Sequence, residues 1–403
     1  MSLNRRRLAV GLIAVAAASA VAACSSSATN SSKDSAAGSS PAAPVGSTAA
    51  STGASPAAND PAAAAGKAYA GVLEQPPSAP VKPAAHVLAW VVSCGQAVPT
   101  CAGPSAAAVA AAKTAGWDAE LCDGKLNPQG WAACIRQGIS AKATGILVIG
   151  QDCNSFQAAL QEAKAAGIPT IGTGGNDCDV TGGQKLYAAT VQSMAKMTNQ
   201  QWWAQLGALQ ADWIIGKTAG KAQVLSLRFT DAIWGGWMQD GFTKELATCT
   251  GCKVVSTLKV GNVDVATGKL PQMFGTALLK APTVNAVDVP LDGWFFAGLS
   301  QAIQSSGRGT QLAVVGAFGE PGNLDLIRKG VGEDATVAFN AEWVGWSGVD
   351  NLARVLAKQP AQPAGAGLQV IDADHNMPAA GQPFQYEPAV DFESAFKKDW
   401  GVA

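Results

Sequence analysis

The chain has 403 residues, which is enough for two domains of ordinary size that each bury a core of their own. Its charge is nearly balanced, with 28 Lys and Arg residues against 29 Asp and Glu residues. No segment combines clustered basic residues with aromatic residues that could stack on bases, so we expect no nucleic-acid partner.

The N terminus has the pattern of an export signal over residues 1–23. Three arginines at positions 5–7 precede an apolar run that is short for a membrane span. The run ends in Val-Ala-Ala-Cys, which resembles the lipobox of bacterial lipoproteins and predicts a diacylglycerol on Cys24. An ordinary signal peptide with an incidental cysteine is the alternative. The adjacent arginines also resemble a twin-arginine signal, so the export route stays open.

Residues 24–84 are predicted to be a lipidated cysteine followed by a disordered linker. This segment consists mostly of Ala, Ser, Gly and Pro, and it carries too few large apolar residues to fold by burying surface. We therefore expect a protein that is held at the outer face of a bacterial cell membrane by its lipid anchor.

Eight cysteines follow Cys24, and such usage is typical of exported proteins. Their spacing suggests local disulfides in sequence order, although eight cysteines allow many other pairings. The predicted pairs are Cys94–Cys101, Cys122–Cys134, Cys153–Cys178 and Cys249–Cys252. The last pair could instead be redox-active or bind a metal. It has no second pair or histidine nearby, so we favour a structural disulfide and predict no metal site.

The stretch from Thr144 to Asn176 predicts a β-α-β unit. Residues 145–150 and 168–172 are continuous apolar runs typical of buried strands, and apolar residues recur at helical spacing over 155–166. A right-handed crossover brings the loops after both strands to one edge of the sheet, where open parallel sheets bind ligands.

Strand and helix patterns alternate on both sides of this unit. Strands are expected at residues 86–93 and 117–121 before it, and at 223–227, 253–259, 285–289, 311–316 and 336–339 after it. Two successive series of this kind predict an α/β protein with two lobes and a cleft between them.

Several segments resemble, in the same order, the sugar-binding ribose/galactose type of periplasmic binding protein, the soluble receptors of ABC importers. They are residues 87–92, 127–128, 145–149, 166–171, 241–242, 285–287, 314–316 and 396–402. The resemblance covers residues 85–403 and implies the type I fold of this family. In that fold, two Rossmann-like lobes with parallel sheets are joined by a three-strand hinge and close on a ligand.

The resemblance also implies domain boundaries, hinge positions and partners. The N-terminal lobe is expected to contain residues 85–190 and 341–366, and the C-terminal lobe with its tail residues 191–340 and 367–403. Crossings between the lobes are expected near residues 188–191, 340–343 and 367–371. The implied partners are a small-molecule ligand and an ABC permease, with no cofactor, and we expect a monomer.

Charged groups that are common in sugar-binding members of that family are missing here at three places. The segment after the strand at 168–172 reads Gly174-Gly175-Asn176-Asp177 instead of carrying an Asp-Arg pair, and residues 234–238 supply no arginine before Gly241. The aspartate after Val-Val-Gly is replaced by Ala317-Phe318. The bidentate grip on several hydroxyls is therefore lost, which argues against a simple monosaccharide.

Aromatic, acidic and amide residues fall on the predicted loops and helix starts that face the cleft. Rings stack on the apolar face of a sugar or on an aromatic ligand, carboxylates accept hydrogen bonds from hydroxyls, and the same set could hold a cationic amine. The predicted ligand-binding residues are Gln96, Gln151, Asp152, Asn176, Asp177, Asp231, Trp234, Trp237, Asp292, Trp294, Phe318, Glu342 and Trp343. For any one tryptophan, packing within a lobe explains the residue equally well. We assign Trp202 and Trp203, inside a long helix, to core or surface.

These features predict a substrate-binding lipoprotein that delivers a small molecule to an ABC permease and has no catalytic activity. His86 and His375 have no metal-ligand spacing, and residues 345–348 lack the pattern of a nucleophile elbow. A sensory receptor that presents its ligand to a membrane kinase, and an exported hydrolase on the same fold, remain the alternatives.

Overall fold

The computed structural model describes residues 60–402, which form two α/β lobes. The predicted signal peptide, Cys24 and the linker as far as residue 59 lie outside the described residues. Among residues 60–402, none of the helices combines the length and the hydrophobicity needed to cross a bilayer.

Lobe 1 is built on a five-stranded parallel sheet with the strand order β2-β1-β3-β4-β5. Its strands are β1 Leu88–Ser93, β2 Asp118–Asp123, β3 Gly145–Ile149, β4 Thr170–Thr173 and β5 Ala189–Thr190. Its helices are α2 Pro99–Thr114, α3 Pro128–Ser140, α4 Gln157–Ala165 and, from late in the chain, α11 Ala341–Leu356 and α12 Phe392–Trp400.

Helices cover both faces of this sheet. Leu147 of β3 packs with α2 and α11 on one face, and its neighbour Ile146 packs with α3 and α4 on the other. Successive strand residues point to opposite faces, so a strand covered on both sides must be apolar throughout. All five residues of β3 are buried, which confirms the central β-α-β unit predicted from the sequence.

Lobe 2 is built on a six-stranded sheet with the order β11-β10-β9-β8-β6-β7, parallel except for β11. Its strands are β6 Gln223–Phe229, β7 Lys253–Val260, β8 Ala286–Asp288, β9 Ala313–Phe318, β10 Ala335–Ala338 and β11 Gln369–Asp372. Its helices are α5 Asn199–Lys217, α6 Ile233–Leu246, α7 Asn262–Ala266, α8 Leu270–Lys280, α9 Ser300–Ser305 and α10 Pro321–Lys329.

The chain crosses between the lobes at three places close to those expected. Residues 191–198 connect β5 to α5, residues 339–340 connect β10 to α11, and residues 357–368 connect α11 to β11. The third crossing precedes its predicted position, because Gln369 and the residues after it already pair with β10.

The last helix belongs to lobe 1, so the assignment of all of residues 367–403 to lobe 2 is wrong. Trp400 of α12 stacks on Trp346 of α11 with ring centroids 5.5 Å apart, and its Nε1–H donates to Oδ1 of Asp350 at 2.9 Å. A terminal amphipathic helix packs on whichever lobe offers a matching apolar surface, and its own sequence does not name that lobe.

The predicted disordered linker extends too far, because helix α1 occupies Pro61–Ala70. Asp60 caps the helix at its start, Gly71 ends it, and Ala68 is fully buried against lobe 2, where α1 packs on α5. Alanine is the best helix former, and its small side chain lets helices approach closely. The low-complexity composition suggested disorder, whereas the cap residues in the sequence indicate a helix.

Helix α1 packs tightly against α5 at Gly216. A β carbon at this position would lie 2.6 Å from the β carbon of Ala65 and 3.1 Å from the carbonyl oxygen of Pro61. We expect Gly216→Ala to lower the free energy of unfolding by about 1–3 kcal/mol, because the overpacked helices must separate. Urea unfolding measures this change.

Gly275→Ala in α8 is the matched control. Apart from its chain neighbours and the nearby backbone of its own helix, no atom lies within 4 Å of its β-carbon position. This substitution should be neutral or stabilising by up to about 1 kcal/mol, the usual gain from replacing glycine in a helix. An equal gain in both variants would contradict the close packing of α1 on α5.

Candidate functional site

The candidate site is the region between the loops at the carboxyl ends of the two sheets, which we call the cleft. In lobe 1 it is bordered by the loops that follow β1, β3 and β4, and in lobe 2 by the loops that follow β6, β8 and β9. The two sets of loops touch, because Oδ2 of Asp152 in lobe 1 accepts a hydrogen bond from the backbone N–H of Ile233 in lobe 2 at 3.2 Å.

Disulfides hold the lobe 1 side of the cleft. Cys94, Cys122, Cys153 and Cys178 stand at or shortly after the carboxyl ends of β1, β2, β3 and β4, in that order. The bonds are Cys94–Cys101, Cys122–Cys134, Cys153–Cys178 and Cys249–Cys252, the last lying between α6 and β7. These are the four predicted pairs. Asp177 lies beside Cys153 and Cys178, but two cysteines bonded to each other offer no thiolate to a metal.

Asp152 binds groups in both lobes. Its Oδ1 accepts hydrogen bonds from the backbone N–H and the side-chain amide of Asn176, each at 2.9 Å. Its Oδ2 accepts from Ile233, the first residue of α6, where a negative charge is favourable. Both oxygens of this predicted ligand-binding residue thus already have protein partners. The bond to α6 is called the interlobe latch below.

The other predicted residues of lobe 1 differ in their availability to a ligand. Asp177 is buried and accepts hydrogen bonds from the backbone N–H groups of Leu186 and Tyr187, so it shapes its own loop. Gln96 is half-buried, and its Nε2 donates to Oγ of Ser93 at 2.7 Å. The side chain of Gln151 is half-buried and forms no hydrogen bond within residues 60–402, which leaves its amide free for a ligand.

A group of packed rings, which we call the aromatic cluster, forms the lobe 2 side of the cleft. It consists of Trp203, Phe229, Trp234, Phe318 and Phe339. Trp234 stacks on Trp203 with centroids 4.6 Å apart, and both are buried. Phe318 and Phe339 are half-buried, with centroids 4.9 Å apart. The rings therefore pack mainly on one another, and the two phenylalanines retain exposed area.

Phe318 has a backbone φ of 107°, which is rare for a residue other than glycine. It ends β9, and the conformation directs its ring into the aromatic cluster. Sparsely populated backbone conformations persist only where the surrounding structure enforces them, and they are concentrated at functional sites. Of the predicted residues, Phe318 combines cleft position, exposure and backbone strain most clearly.

Two other predicted tryptophans are fully engaged in packing. Trp294 is 3% exposed and lies edge-on to Phe229. Trp343 is 1% exposed, stacks on Phe392 at 5.3 Å and donates its Nε1–H to the carbonyl of Ala364. Neither ring offers a free face to a ligand in this structure.

The remaining predicted residues occupy the borders of the cleft. Trp237, in the second turn of α6, is half-buried against the lobe 2 core, and Glu342 is exposed in the first turn of α11. Asp231 is exposed and accepts a hydrogen bond from the backbone N–H of Asn262 at 2.7 Å.

Asp292 is fully buried and connects the loops of lobe 2. It accepts hydrogen bonds from the backbone N–H groups of Gly319 and Glu320 and from Oγ1 of Thr336. Burial raises the pKa of Asp292 to about 7. Like Asp152 and Asp177, this carboxyl group serves the scaffold rather than a ligand.

A second carboxyl group, that of Glu333, lies beside Asp292. Oε1 of Glu333 and Oδ1 of Asp292 both approach Gly316 so closely that a β carbon there would collide with them. Asn323 donates to Oε2 of Glu333 at 2.6 Å. Burial and the nearby Asp292 raise the pKa of Glu333. Two buried carboxyl groups this close favour a state in which one of them is protonated.

Sequence reasoning missed three residues near the cleft. Trp203 was assigned to the core or surface of a long helix, and it is buried in the core of lobe 2; what was not predicted is that it lies in the second turn of α5, shortly after a lobe crossing, and joins the aromatic cluster. Phe339 follows β10 at the next crossing. Arg228, on β6, is half-buried, and its guanidinium lies beside Gly236 in α6. For the two aromatics, the available signal was a large ring directly beside a crossing.

Comparisons with known proteins agree with this architecture. A family model described as a periplasmic binding protein domain matches residues 100–360. The chain belongs to the periplasmic binding protein family. Its two lobes and mostly parallel sheets have the type I fold of that family. Comparison with curated proteins gave no match.

Solved structures with the same fold come from several bacteria. The chain is similar to the periplasmic binding protein component of the arabinose ABC transporter from Shewanella sp. ANA-3, with 18% identity, a TM-score of 0.58, and coverage of 78% of this chain and 95% of that one. It is similar to an ABC transporter solute-binding protein from Actinobacillus succinogenes 130z with bound D-allose, with 18% identity, a TM-score of 0.59, and coverage of 72% and 98%. A protein from Mycobacterium smegmatis in complex with β-D-fucofuranose has 19% identity, a TM-score of 0.58, and coverage of 72% and 92%.

The buried acids make the stability of this periplasmic binding protein depend on pH. Burial raises the pKa of Asp288 and of Glu320 to about 8, in addition to those of Asp292 and Glu333. An acid with a raised pKa in the folded chain stabilises it fully below the ordinary pKa of about 4, and this stabilisation is lost as the pH rises through about 7 to 8. We expect the free energy of unfolding to fall by several kcal/mol from about pH 5 to about pH 8.5, because each unit by which a pKa is raised corresponds to about 1.4 kcal/mol, and urea unfolding measures this change.

Glu333→Gln tests the origin of this dependence. The glutamine amide can donate to Asp292 and still accept from Asn323, so the fold should persist while the slope of stability against pH becomes shallower. Asp240→Asn, at an exposed position in α6, is the control and should leave the slope unchanged. An unaltered slope in the Glu333 variant would contradict protonation of the pair formed by Asp292 and Glu333.

Removal of the interlobe latch should open the cleft. Asp152→Ala leaves the N–H groups of Asn176 and Ile233 without their acceptor, so we expect a larger radius of gyration in small-angle X-ray scattering and a stability loss of about 1–3 kcal/mol. Asp231→Ala removes a comparable carboxylate contact within lobe 2. This control should lower stability without changing the radius of gyration, and an equal radius in both variants would refute the latch.

Proposed function

We propose that this protein is the extracytoplasmic substrate-binding component of an ABC importer, and that it binds an uncharged, hydroxyl-bearing ring compound in the cleft between its lobes. Membership of the periplasmic binding protein family supports a binding role that depends on lobe closure rather than catalysis. The proposal includes lipidation of Cys24 and an ABC permease as the partner in the membrane.

The choice of ligand class rests on the hydrogen bonds and charge of the acidic groups at the cleft. Asp152, Asp177 and Asp292 already accept hydrogen bonds from protein N–H groups. Glu320 has its pKa raised to about 8, mainly by burial and also by Asp292, and is therefore largely uncharged at neutral pH. A cationic amine would find few free carboxylates here, so the cationic alternative loses support.

The groups left for a ligand suit a sugar-like compound. The amide of Gln151 can donate to and accept from hydroxyls, while Phe318 and Phe339 expose apolar ring area. The bound compounds named for the similar structures, L-arabinofuranose, D-allose and β-D-fucofuranose, are uncharged rings with hydroxyl groups. We transfer that ligand class, and none of the individual sugars, to this chain.

Native mass spectrometry of the secreted Cys24→Ser protein tests the proposal. We expect a small molecule to dissociate from the protein and to be identified as a neutral sugar or polyol. A recovered amine or carboxylic acid would refute the ligand class. If the protein carries no ligand, a thermal-shift screen across sugars, polyols, amines and aromatics decides between the classes, and the absence of any shift would count against the binding role.

Phe318→Ala should then weaken binding of the recovered ligand by about tenfold or more, because the ligand loses an apolar contact of at least about 1.4 kcal/mol. Isothermal titration calorimetry measures the affinity. Phe296→Ala is the control, since Phe296 is 61% exposed on lobe 2 and lies outside the aromatic cluster. Equal losses in the two variants would place the ligand elsewhere.

A further inference from the structure

Residues 71–83, which we call the strap, run from helix α1 on lobe 2 to lobe 1, ahead of β1. They form a connection between the lobes that is separate from the three crossings of the hinge. From the sequence they were predicted to be part of a disordered linker. Their contacts instead tie them to both lobes and to two of the crossings.

The strap begins at a firm attachment to lobe 2. Nζ of Lys67 in α1 lies 3.0 Å from Oδ2 of Asp212 in α5 and 2.8 Å from Oε1 of Glu245 in α6. The hydroxyl of Tyr69 donates to Oδ2 of Asp372, at the end of β11, at 2.6 Å. Helix α1 is therefore part of lobe 2, and the strap starts from a fixed point.

The first part of the strap lies along two hinge crossings. Val72 and Leu368 exchange backbone N–H···O hydrogen bonds, both at 2.8 Å. The carboxylate of Glu74 accepts from the backbone N–H of Ala195 at 2.7 Å. Gly367 packs so tightly on the strap backbone at Val72 that a β carbon there would collide with it. The strap thus touches the crossings at residues 357–368 and 191–198.

The strap ends in lobe 1. The carbonyl of Ala79 accepts a hydrogen bond from Nη2 of Arg354 in α11 at 2.6 Å, and the backbone N–H of Val81 donates to the carbonyl of Asp399 in α12 at 3.0 Å. The side chain of Val81 is 2% exposed within the lobe 1 core. This end is as firmly attached as the first.

The segment between the two attachments is stiff. Prolines occupy positions 76, 77, 80 and 83, and each fixes its own φ angle. The residue before each proline is restricted to extended conformations. Only Ser78 and Val81 of residues 75–83 escape both restrictions. A short, stiff segment fixed at both ends resists a change in the distance between its attachments.

We propose that the strap is a strut that limits how far the two lobes can separate. Any opening of the cleft that moves Val81 away from Val72 must stretch the strap or break its contacts with the crossings. The ligand-free protein therefore samples a narrow range of interlobe angles, which reduces the conformational cost of ligand binding. This inference holds for any ligand and does not depend on the proposed substrate class.

Electron-electron double resonance between nitroxide labels tests the strut without any ligand. Gln129→Cys in lobe 1 and Val263→Cys in lobe 2 place one label in each lobe, at exposed positions shortly after β2 and β7. The eight cysteines of the folded part are paired and do not react, and Cys24→Ser removes the remaining thiol. The labelled protein should give one narrow distance distribution.

The triple variant P76G/P77G/P80G softens the strap and keeps its attachments. We expect a distribution about twofold broader and shifted to longer distances, because more open states become populated. Pro282→Gly, in an exposed loop of lobe 2, is the control and should leave the distribution unchanged.

Glu74→Ala is the second variant, and it removes only the contact with the crossing at Ala195. It should broaden the distribution in the same direction to a smaller extent, and it decides the question if the triple variant does not fold. Distributions identical to that of the parent protein in every folded strap variant would overturn the proposal, since the strap would then stabilise the fold without restraining the lobes.

Discussion

The strands that border the cleft run parallel within each lobe, and this constraint determines where every loop of the site lies. Parallel strands end at a common edge, so the loops after β3 and β4 meet in lobe 1, and those after β8 and β9 meet in lobe 2. Loops at such an edge carry backbone N–H groups that need acceptors. Asp152 meets this need for Asn176 and Ile233, and Asp292 meets it for Gly319 and Glu320.

The loops at the carboxyl edge of the sheet are held in place differently in the two lobes. In lobe 1, the disulfide Cys153–Cys178 joins the loops after β3 and β4 covalently. In lobe 2, the only disulfide within the described residues, Cys249–Cys252, lies away from the cleft. There, buried Asp292 and Glu333 connect the loops through hydrogen bonds. At this edge lobe 1 is therefore held by a covalent bond, whereas lobe 2 is held by the hydrogen bonds of buried carboxyl groups.

Sequence patterns predicted best the features that depend on residues close together in the chain. The apolar run of β3, the helical spacing of α4 and the four local disulfides all depend on residues close together in the chain, and each prediction was confirmed. The cap residues of α1 were equally local, yet the alanine-rich composition around them was interpreted as disorder. Local cap chemistry was a better guide there than average composition.

The candidate site could be predicted only in part. Sequence reasoning placed Asp152 and Phe318 at the cleft, where the structure has them. It could not predict that the ring of Trp343 packs on Phe392, or that Asp292 accepts hydrogen bonds from two backbone N–H groups. These partners are distant in the chain, so no periodicity or spacing in the sequence indicates them.

By itself, the sequence determined the α/β class, the order of the strands along the chain and the cysteine pairs, because these follow from hydrophobic period and short loop closure. Tertiary structure alone decided which lobe receives α1 and α12, which carboxylates remain free, and where the strap attaches. These outcomes depend on contacts such as those of Lys67 with Asp212, of Trp400 with Trp346 and of Val72 with Leu368. Each contact joins residues far apart or on separate elements, and only packing of the whole chain brings them together.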